Sequence, residues 1–282
     1  MVLTEKELED LKTKSTRYVA REWGVKEEDV RALRRKNKIP SPTPPVRTFT
    51  IPTFTIPKLL VTSDWHVPYH DEEMVAEVVR VAEVEGIKVV LAVGDVIDLP
   101  TLSRFDPRDI DSNVGMELST VGDVLDEFTS RGIQVIWSRG NHENRFFKAL
   151  KHQVDMSDLI QLCGVDPTMV YGLEGEEVYI KSGEYTWLFT HQGEYSRVPL
   201  SVARRLVDKY HCNVGTAHNH QYAYGKALDG VHEVLELGGL FNTSKMAYLH
   251  RGGASTFPHQ QQGFWILDHG EVRKPERENG GD

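Results

Sequence analysis

Three short segments place carboxylate, imidazole and amide side chains at the ends of apolar, β-branched runs. They are Asp64-Trp65-His66, Gly94-Asp95-Val96-Ile97-Asp98 and Gly140-Asn141-His142-Glu143. His191 follows a fourth apolar run, Trp187-Leu188-Phe189, and His218 and His220 follow the short run at Val214. Open α/β sheets gather ligands at the carboxyl ends of their strands, so five strand ends would bring these groups to one edge. A carboxylate can bridge two cations through its two oxygens. Imidazole mixed with carboxylate favours Mn, Fe, Zn or Co over Mg or Ca, which prefer oxygen alone. Two such ions about 3.5–4 Å apart can hold a hydroxide and clamp both oxygens of an in-line displacement at phosphorus. His142 would then stabilise or protonate the leaving oxygen. Asp95 or Asp98 taken alone reads as an ordinary loop cap; the segments in register point to phosphoester cleavage.

The hydrophobic pattern supplies the elements that must position these groups. Leu59-Leu60-Val61, Val89 to Val93 and Val135-Ile136-Trp137 read as buried strands, with helices at Glu72 to Glu85 and Val114 to Ser130 between them. That alternation predicts a parallel sheet with helices on its faces. Beyond Glu176, Val178-Tyr179-Ile180 and Trp187-Leu188-Phe189 flank Ser182-Gly183-Glu184 as a hairpin. Pro199 to Tyr210 reads as a helix, and Val214, Tyr222 to Lys226, Val234 to Leu237 and Phe264 to Leu267 as strands. Residues 58–270 are therefore expected to form two packed sheets with helices outside, and residues 271–282 a disordered tail.

Upstream, residues 1–39 read as a helical unit. Thr16 to Trp23 and Lys26 to Lys36 are predicted helices about Gly24-Val25. Ala20, Gly24, Val30 and Leu33 fall where a helix-turn-helix at about residues 16–35 needs a small residue, a turn and two core residues. Residues 40–57 read as a Pro-rich linker or extended arm. Its Pro40 to Pro45 portion would be stiff, and Thr48 to Ile56 an edge strand broken by Pro52.

The segments Asp64-x-His66, Gly94-Asp95-x-x-Asp98, Gly140-Asn141-His142-Glu143, a lone His191 and His218-x-His220 resemble the calcineurin-like metallophosphoesterases over residues 58–268. The resemblance implies a four-layer α-β-β-α sandwich of the α/β class around a dinuclear centre, with Mn2+ as the expected metal. It implies that Asp64, His66, Asp95 and His220 hold one ion, and that bridging Asp95, Asn141, His191 and His218 hold the other. His142 would be the catalytic imidazole, oriented by Asp98. Two departures from the family pattern are visible. Ala217 stands where Gly usually precedes the final His-x-His, and His191 is followed, rather than preceded, by its nearby Gly193.

Other residues carry weaker signals. Arg145 would contact a substrate phosphate or be a solvated helix residue. His70 is close enough to His66 to line the cleft, and Cys212 reads as a buried strand residue. Arg31, Arg34, Arg35, Lys36 and Lys38 would grip a nucleic-acid backbone without reading bases, since the helix carrying them starts with acidic Glu27-Glu28-Asp29. A protein-docking or structural role for that unit is the alternative.

The net charge of −9 excludes a globally basic nucleic-acid binder, yet residues 1–40 carry 11 Lys/Arg against 8 Asp/Glu. No apolar run is long enough to cross a bilayer, and the two cysteines offer no disulfide framework. A cytoplasmic location without a membrane partner is the expectation; self-association is left open. The leading functional reading is a phosphodiesterase or nuclease acting on DNA, in the manner of the nuclease subunit of double-strand-break repair complexes. The alternatives are a phosphatase or cyclic-nucleotide phosphodiesterase, and a DNA-binding regulator with an inert phosphoesterase domain. The loops Phe105 to Asn113 and Tyr195 to Val198 are expected to select the substrate.

Overall fold

Strands covered on both faces need apolar residues at every position, and the structure, a computed structural model, shows what covers them. It describes residues 3–14, 16–39, 50–103, 113–246 and 260–276. The chain divides into two units, Met1–Thr50 and Ile51–Asp282.

In the larger unit the strands are β1 (Thr53–Thr55), β2 (Lys58–Ser63), β3 (Val89–Val93), β4 (Gln134–Ser138), β5 (Val170–Leu173), β6 (Glu177–Ser182), β7 (Tyr185–Thr190), β8 (Asn213–Thr216), β9 (Tyr222–Lys226), β10 (Glu233–Leu237), β11 (Trp265–Asp268) and β12 (Glu271–Arg273). One sheet runs β12-β11-β2-β3-β4-β5, parallel from β2 to β5 with β11 and β12 added antiparallel. The other runs β1-β6-β7-β8-β10-β9. There β7, β8 and β10 are mutually parallel, so their ends face one way.

Alternate residues of the first sheet look in opposite directions. Leu60, Val90, Ala92 and Trp137 pack with Val78 of α4 (Glu72–Val84) and Leu125 and Phe128 of α5 (Val114–Thr129). Leu59, Val61, Leu91 and Val93 pack between the sheets against Val178, Ile180, Trp187 and Phe189. Leu206 and Val207 of α8 (Ser201–Tyr210) cover Leu188, Val214 and Val234 on the far face of the second sheet. The result is the expected helix–sheet–sheet–helix sandwich.

The edge strand expected within Thr48 to Ile56 is β1, which pairs with β6 at the edge of the second sheet; residues 40–49 lie outside those described. Two features depart from expectation. The segment expected as a disordered tail from Glu271 begins with β12, whose Arg273 reaches Glu85 at 2.6 and 2.9 Å. Residues 277–282 are outside the described set. Between Asn141 and Glu176, α6 (Glu143–Ala149), α7 (Met156–Leu162) and β5 were not anticipated.

The smaller unit contains α1 (Glu5–Thr13), α2 (Thr16–Trp23) and α3 (Glu27–Lys36). Its core is Leu11, Val19, Ala20 and Val30, with Leu33 against it. Gly24 takes the left-handed φ of +65° that turns the chain between α2 and α3. Arg34 corrects a sequence expectation. It is only 2% exposed. Its guanidinium donates to the carbonyls of Leu11 (2.9 Å) and Lys14 (2.6 Å) and to the Thr16 hydroxyl. It therefore satisfies the orphan carbonyls at the end of α1 instead of facing a phosphate. Arg31 pairs with Glu27 at 2.7 Å, whereas Arg35, Lys36 and Lys38 are exposed. Among the described residues no helix is long and apolar enough to cross a membrane.

Candidate metal centre

Each proposed ligand sits within a few residues of a strand's carboxyl end: Asp64 and His66 after β2, Asp95 after β3, Asn141 after β4, His191 after β7, and His218 and His220 after β8. The backbone there is unusual. Asp64, His66, Asp95, His218 and His220 have φ of 49°, 54°, 50°, 75° and 53°. A left-handed conformation costs a non-glycine residue about 1–3 kcal/mol and persists only where surroundings enforce it. Adjacent loops do so through main-chain bonds: Asp64 N–H to the Gly94 carbonyl (3.1 Å), His66 to Asp95 (2.9 Å) and Val67 to Val96 (2.9 Å).

Among the described residues three groups of donor atoms converge, formed by Asp64, His66 and His220, by His66, Asp95 and His142, and by Asp95, His191 and His218. Asp64 Oδ1 lies 3.1 Å from His220 Nε2 and 3.2 Å from His191 Nε2. Asp95 Oδ2 lies 3.3 Å from His191 Nε2 and 3.6 Å from His142 Nε2. The Nε2 atoms of His66 and His220 face each other at 3.1 Å. Asp98 Oδ1 orients two rings at once, meeting Nδ1 of His66 at 2.7 Å and Nδ1 of His142 at 2.9 Å.

These groups fit divalent cations. The Oδ1 of Asn141 is buried and has no hydrogen-bond partner among the described residues, an acceptor that a cation would satisfy. Burial opposes ionisation of Asp64, Asp95 and Asp98, but the neighbouring imidazoles outweigh it and hold all three well below the ordinary carboxylate range. Burial likewise opposes charge on His66 and His191. The Asp64, Asp98 and Asp95 carboxylates still raise His66 to about 10, and Asp95 and Asp64 hold His191 well above its ordinary value. Burial, reinforced by His191, lowers His218 to about 4. The buried acids are thus ionised and charged His66 and His191 offset them, a role that bound cations would take over as these imidazoles give up their protons.

The profile of the calcineurin-like phosphoesterases matches residues 57–241. The chain belongs to this family. As a calcineurin-like phosphoesterase with a clustered set of metal-ligating side chains, it is a metal-dependent phosphoester hydrolase, of a family that uses a dinuclear divalent site. No curated protein matches it significantly in sequence. Among solved structures it is similar to Yfce, a phosphoesterase from E. coli, at 14% identity and a TM-score of 0.40 over 75% of this chain and 88% of that one. It is also similar to Vps29 from Entamoeba histolytica complexed with Zn2+, at 16% identity and a TM-score of 0.36 over 76% and 88%.

In this calcineurin-like phosphoesterase, Asp64, His66, Asp95, Asp98, His142, His191, His218 and His220 lie together, and Asn141 adjoins them in the chain. Ala217 is buried between the sheets and donates its N–H to Thr190, so no glycine is required there. Arg145 belongs to the site: its guanidinium donates to the Asp98 carbonyl (2.7 Å) and lies 2.9 Å from His142 Nε2. His70 is buried and pairs through its backbone with Phe241, and it is in none of the three donor groups. Phe241 packs its ring 4.5 Å from that of His220. Most of the loop Phe105 to Asn113 lies outside the described residues.

The sequence expectation had no role for Glu143. Its fully buried carboxylate accepts from the N–H groups of Asp95 (3.0 Å), Val96 (2.8 Å) and Gly140 (2.7 Å) and from the Trp137 indole (3.1 Å). One side chain thereby ties the loop after β3 to the loop after β4. Burial and Asp95 push its pKa up. Gly140 lets these loops touch, since a Cβ there would lie 2.2 Å from Asp95 Oδ1. Gln260 was equally unforeseen; its side-chain oxygen meets His220 Nδ1. The signal for Glu143 was its place in the motif, but nothing in its residue type says that it faces inward.

Proposed function

We propose that this phosphoesterase cleaves phosphodiester bonds of nucleic acid with two divalent transition-metal ions, Mn2+ foremost. The observation that carries the reading is Asp95, which belongs both to the group around His66 and to the group with His191 and His218. Asp64, His66, Asp95 and His220 would hold one ion, and Asp95, Asn141, His191 and His218 the other. When bound, the pair would lower the pKa of water and neutralise charge developing at phosphorus.

The chain's own groups complete the chemistry. The Nδ1 of His142 lies 2.7 Å from the Asp98 carbonyl and 2.9 Å from its carboxylate, which assigns the proton to Nδ1. Its Nε2 then faces Arg145 as an acceptor. An imidazole and a guanidinium are thus offered side by side: His142, after taking up a second proton at Nε2, would give it to the leaving oxygen, and Arg145 would hold a phosphoryl oxygen. Exposed Arg35, Lys36 and Lys38 in the smaller unit support recruitment of a polyanion. A second reading, hydrolysis of a small phosphoester, is favoured by one observation. Burial of Arg34 removes a cation from that unit, and the residues beyond 40 carry 22 Lys/Arg against 34 Asp/Glu.

A substrate panel with added Mn2+ separates these readings: single- and double-stranded DNA, RNA, cyclic nucleotides and an aryl phosphomonoester. Nucleic-acid cleavage is the expected outcome, and selective turnover of the monoester or cyclic nucleotide overturns it. In the full chain, Arg35→Glu with Lys36→Glu should weaken DNA binding and spare hydrolysis of a small aryl phosphodiester. Unchanged DNA affinity removes the recruiting role.

A further inference from the structure

The segment His218-Asn219-His220-Gln221 faces two ways. Its histidines enter the metal centre, while Asn219 and Gln221, 3% and 2% exposed, turn to the loop that follows His191. The Asn219 side-chain oxygen accepts the Ser196 N–H at 3.2 Å, and the Gln221 side-chain amide donates to the Ser196 carbonyl at 3.1 Å. Both polar groups of one backbone residue are thus gripped from the strand end that carries two proposed ligands. The far end of the loop is held as well. Buried Glu236 accepts the Leu200 N–H at 3.1 Å and, at 3.4 Å, the Asn219 amide. Between these anchors, Ser196 is half-buried but Tyr195, Arg197 and Val198 are exposed, Tyr195 by 47%.

Burying two amides and an acid only to hold an exposed loop has a thermodynamic cost. It is explained if the loop's placement matters. Ser196 lies one amide side chain away from the backbone joining His218 to His220, so the loop stands beside that half of the centre. An aromatic ring and a guanidinium on a rigid loop suit a nucleobase and its phosphates.

We propose that Asn219 and Gln221 are positioning residues that fix residues 193–199 as a specificity loop. On it, Tyr195 and Arg197 recognise the nucleoside group that stays on the scissile phosphate. This rests on the phosphodiesterase reading above.

The test uses the Mn2+-loaded full chain and two substrates with the same leaving group, thymidine 5′-(p-nitrophenyl phosphate) and methyl p-nitrophenyl phosphate. Tyr195→Ala and Arg197→Ala, both on an exposed loop, should raise KM for the nucleoside ester about tenfold and change the methyl ester less than about twofold. Asn219→Ala and Gln221→Ala should show the same split, keep the wild-type Mn2+ stoichiometry and speed trypsin cleavage at Arg197. Equal losses on both substrates, no loss in the Tyr195 and Arg197 variants, or unchanged trypsin sensitivity in the amide variants would each overturn the proposal. A wild-type enzyme that hydrolyses the methyl ester and ignores the nucleoside ester would instead overturn the nucleic-acid reading; trypsin then still decides whether the amides clamp the loop.

Discussion

Main-chain bonds gathered by one carboxylate, Glu143, brace the loops of the first sheet, whereas side-chain amides hold the long loop of the second. After β2 and β3, successive N–H groups of one loop donate to carbonyls of the next, and Glu143 closes the arrangement by collecting N–H groups from both the β3 and β4 loops. After β7, residues 193–199 reach the ligand-bearing segment through Asn219 and Gln221. A backbone lattice cannot be retuned by one side chain without disturbing its neighbours; an amide clamp can. The contrast teaches that a single centre can keep its chemistry fixed on one sheet and carry adjustable recognition on the other.

The largest effect that would sharpen this contrast is at Asp95. Asp95→Asn should lower turnover of an aryl phosphodiester by about a thousandfold or more at saturating Mn2+, and near-normal hydrolysis would exclude its bridging role. Next, His142→Ala should lose about 100- to 10,000-fold in rate while calorimetry still counts the wild-type number of Mn2+ ions. Loss of an ion would make His142 a ligand.

Stability measurements then set the two kinds of brace against each other. Glu143→Ala strands several buried N–H groups and should cost about 3 kcal/mol or more in urea unfolding, against about 1 kcal/mol for Asn219→Ala. Similar costs would erase the distinction.

The smallest effect lies at the sheet edge. Arg273 and then Lys58 hold Glu85 down to about 2, below its ordinary 4.5. Its contribution is complete above that ordinary value and fades as pH falls towards 2. Glu85→Gln should therefore remove about 1 kcal/mol at neutral pH and progressively less in acid, read from thermal unfolding at several pH values.

The strands that carry the ligands were readable because Val89 to Val93 and its counterparts are buried on both faces, which forces uninterrupted apolar runs ending abruptly in Asp, Asn or His. Helices α4, α5 and α8 were readable from their periodicity. What escaped notice depends on inward-facing polar groups. Glu143, Asn219, Gln221 and Glu236 belong to types usually found at the surface, and only the three-dimensional arrangement supplies their partners. Arg34 misled for the same reason: basic residues in a last helical turn suggest a solvated end, but its long side chain folds back onto α1. The strand β12 was hidden because three residues of mixed polarity carry little signal until β11 and Glu85 receive them.

The left-handed backbone at Asp64, His66, Asp95, His218 and His220 has a consequence for how this protein can diverge. Asp, Asn and His are the non-glycine residues that enter that conformation most readily, and they are also the side chains that bind transition metals. Two unrelated filters therefore admit nearly the same short alphabet at these positions. Even a descendant that had abandoned catalysis would find valine or isoleucine barred there by the shape of the chain alone, so the outline of the centre should outlast its activity.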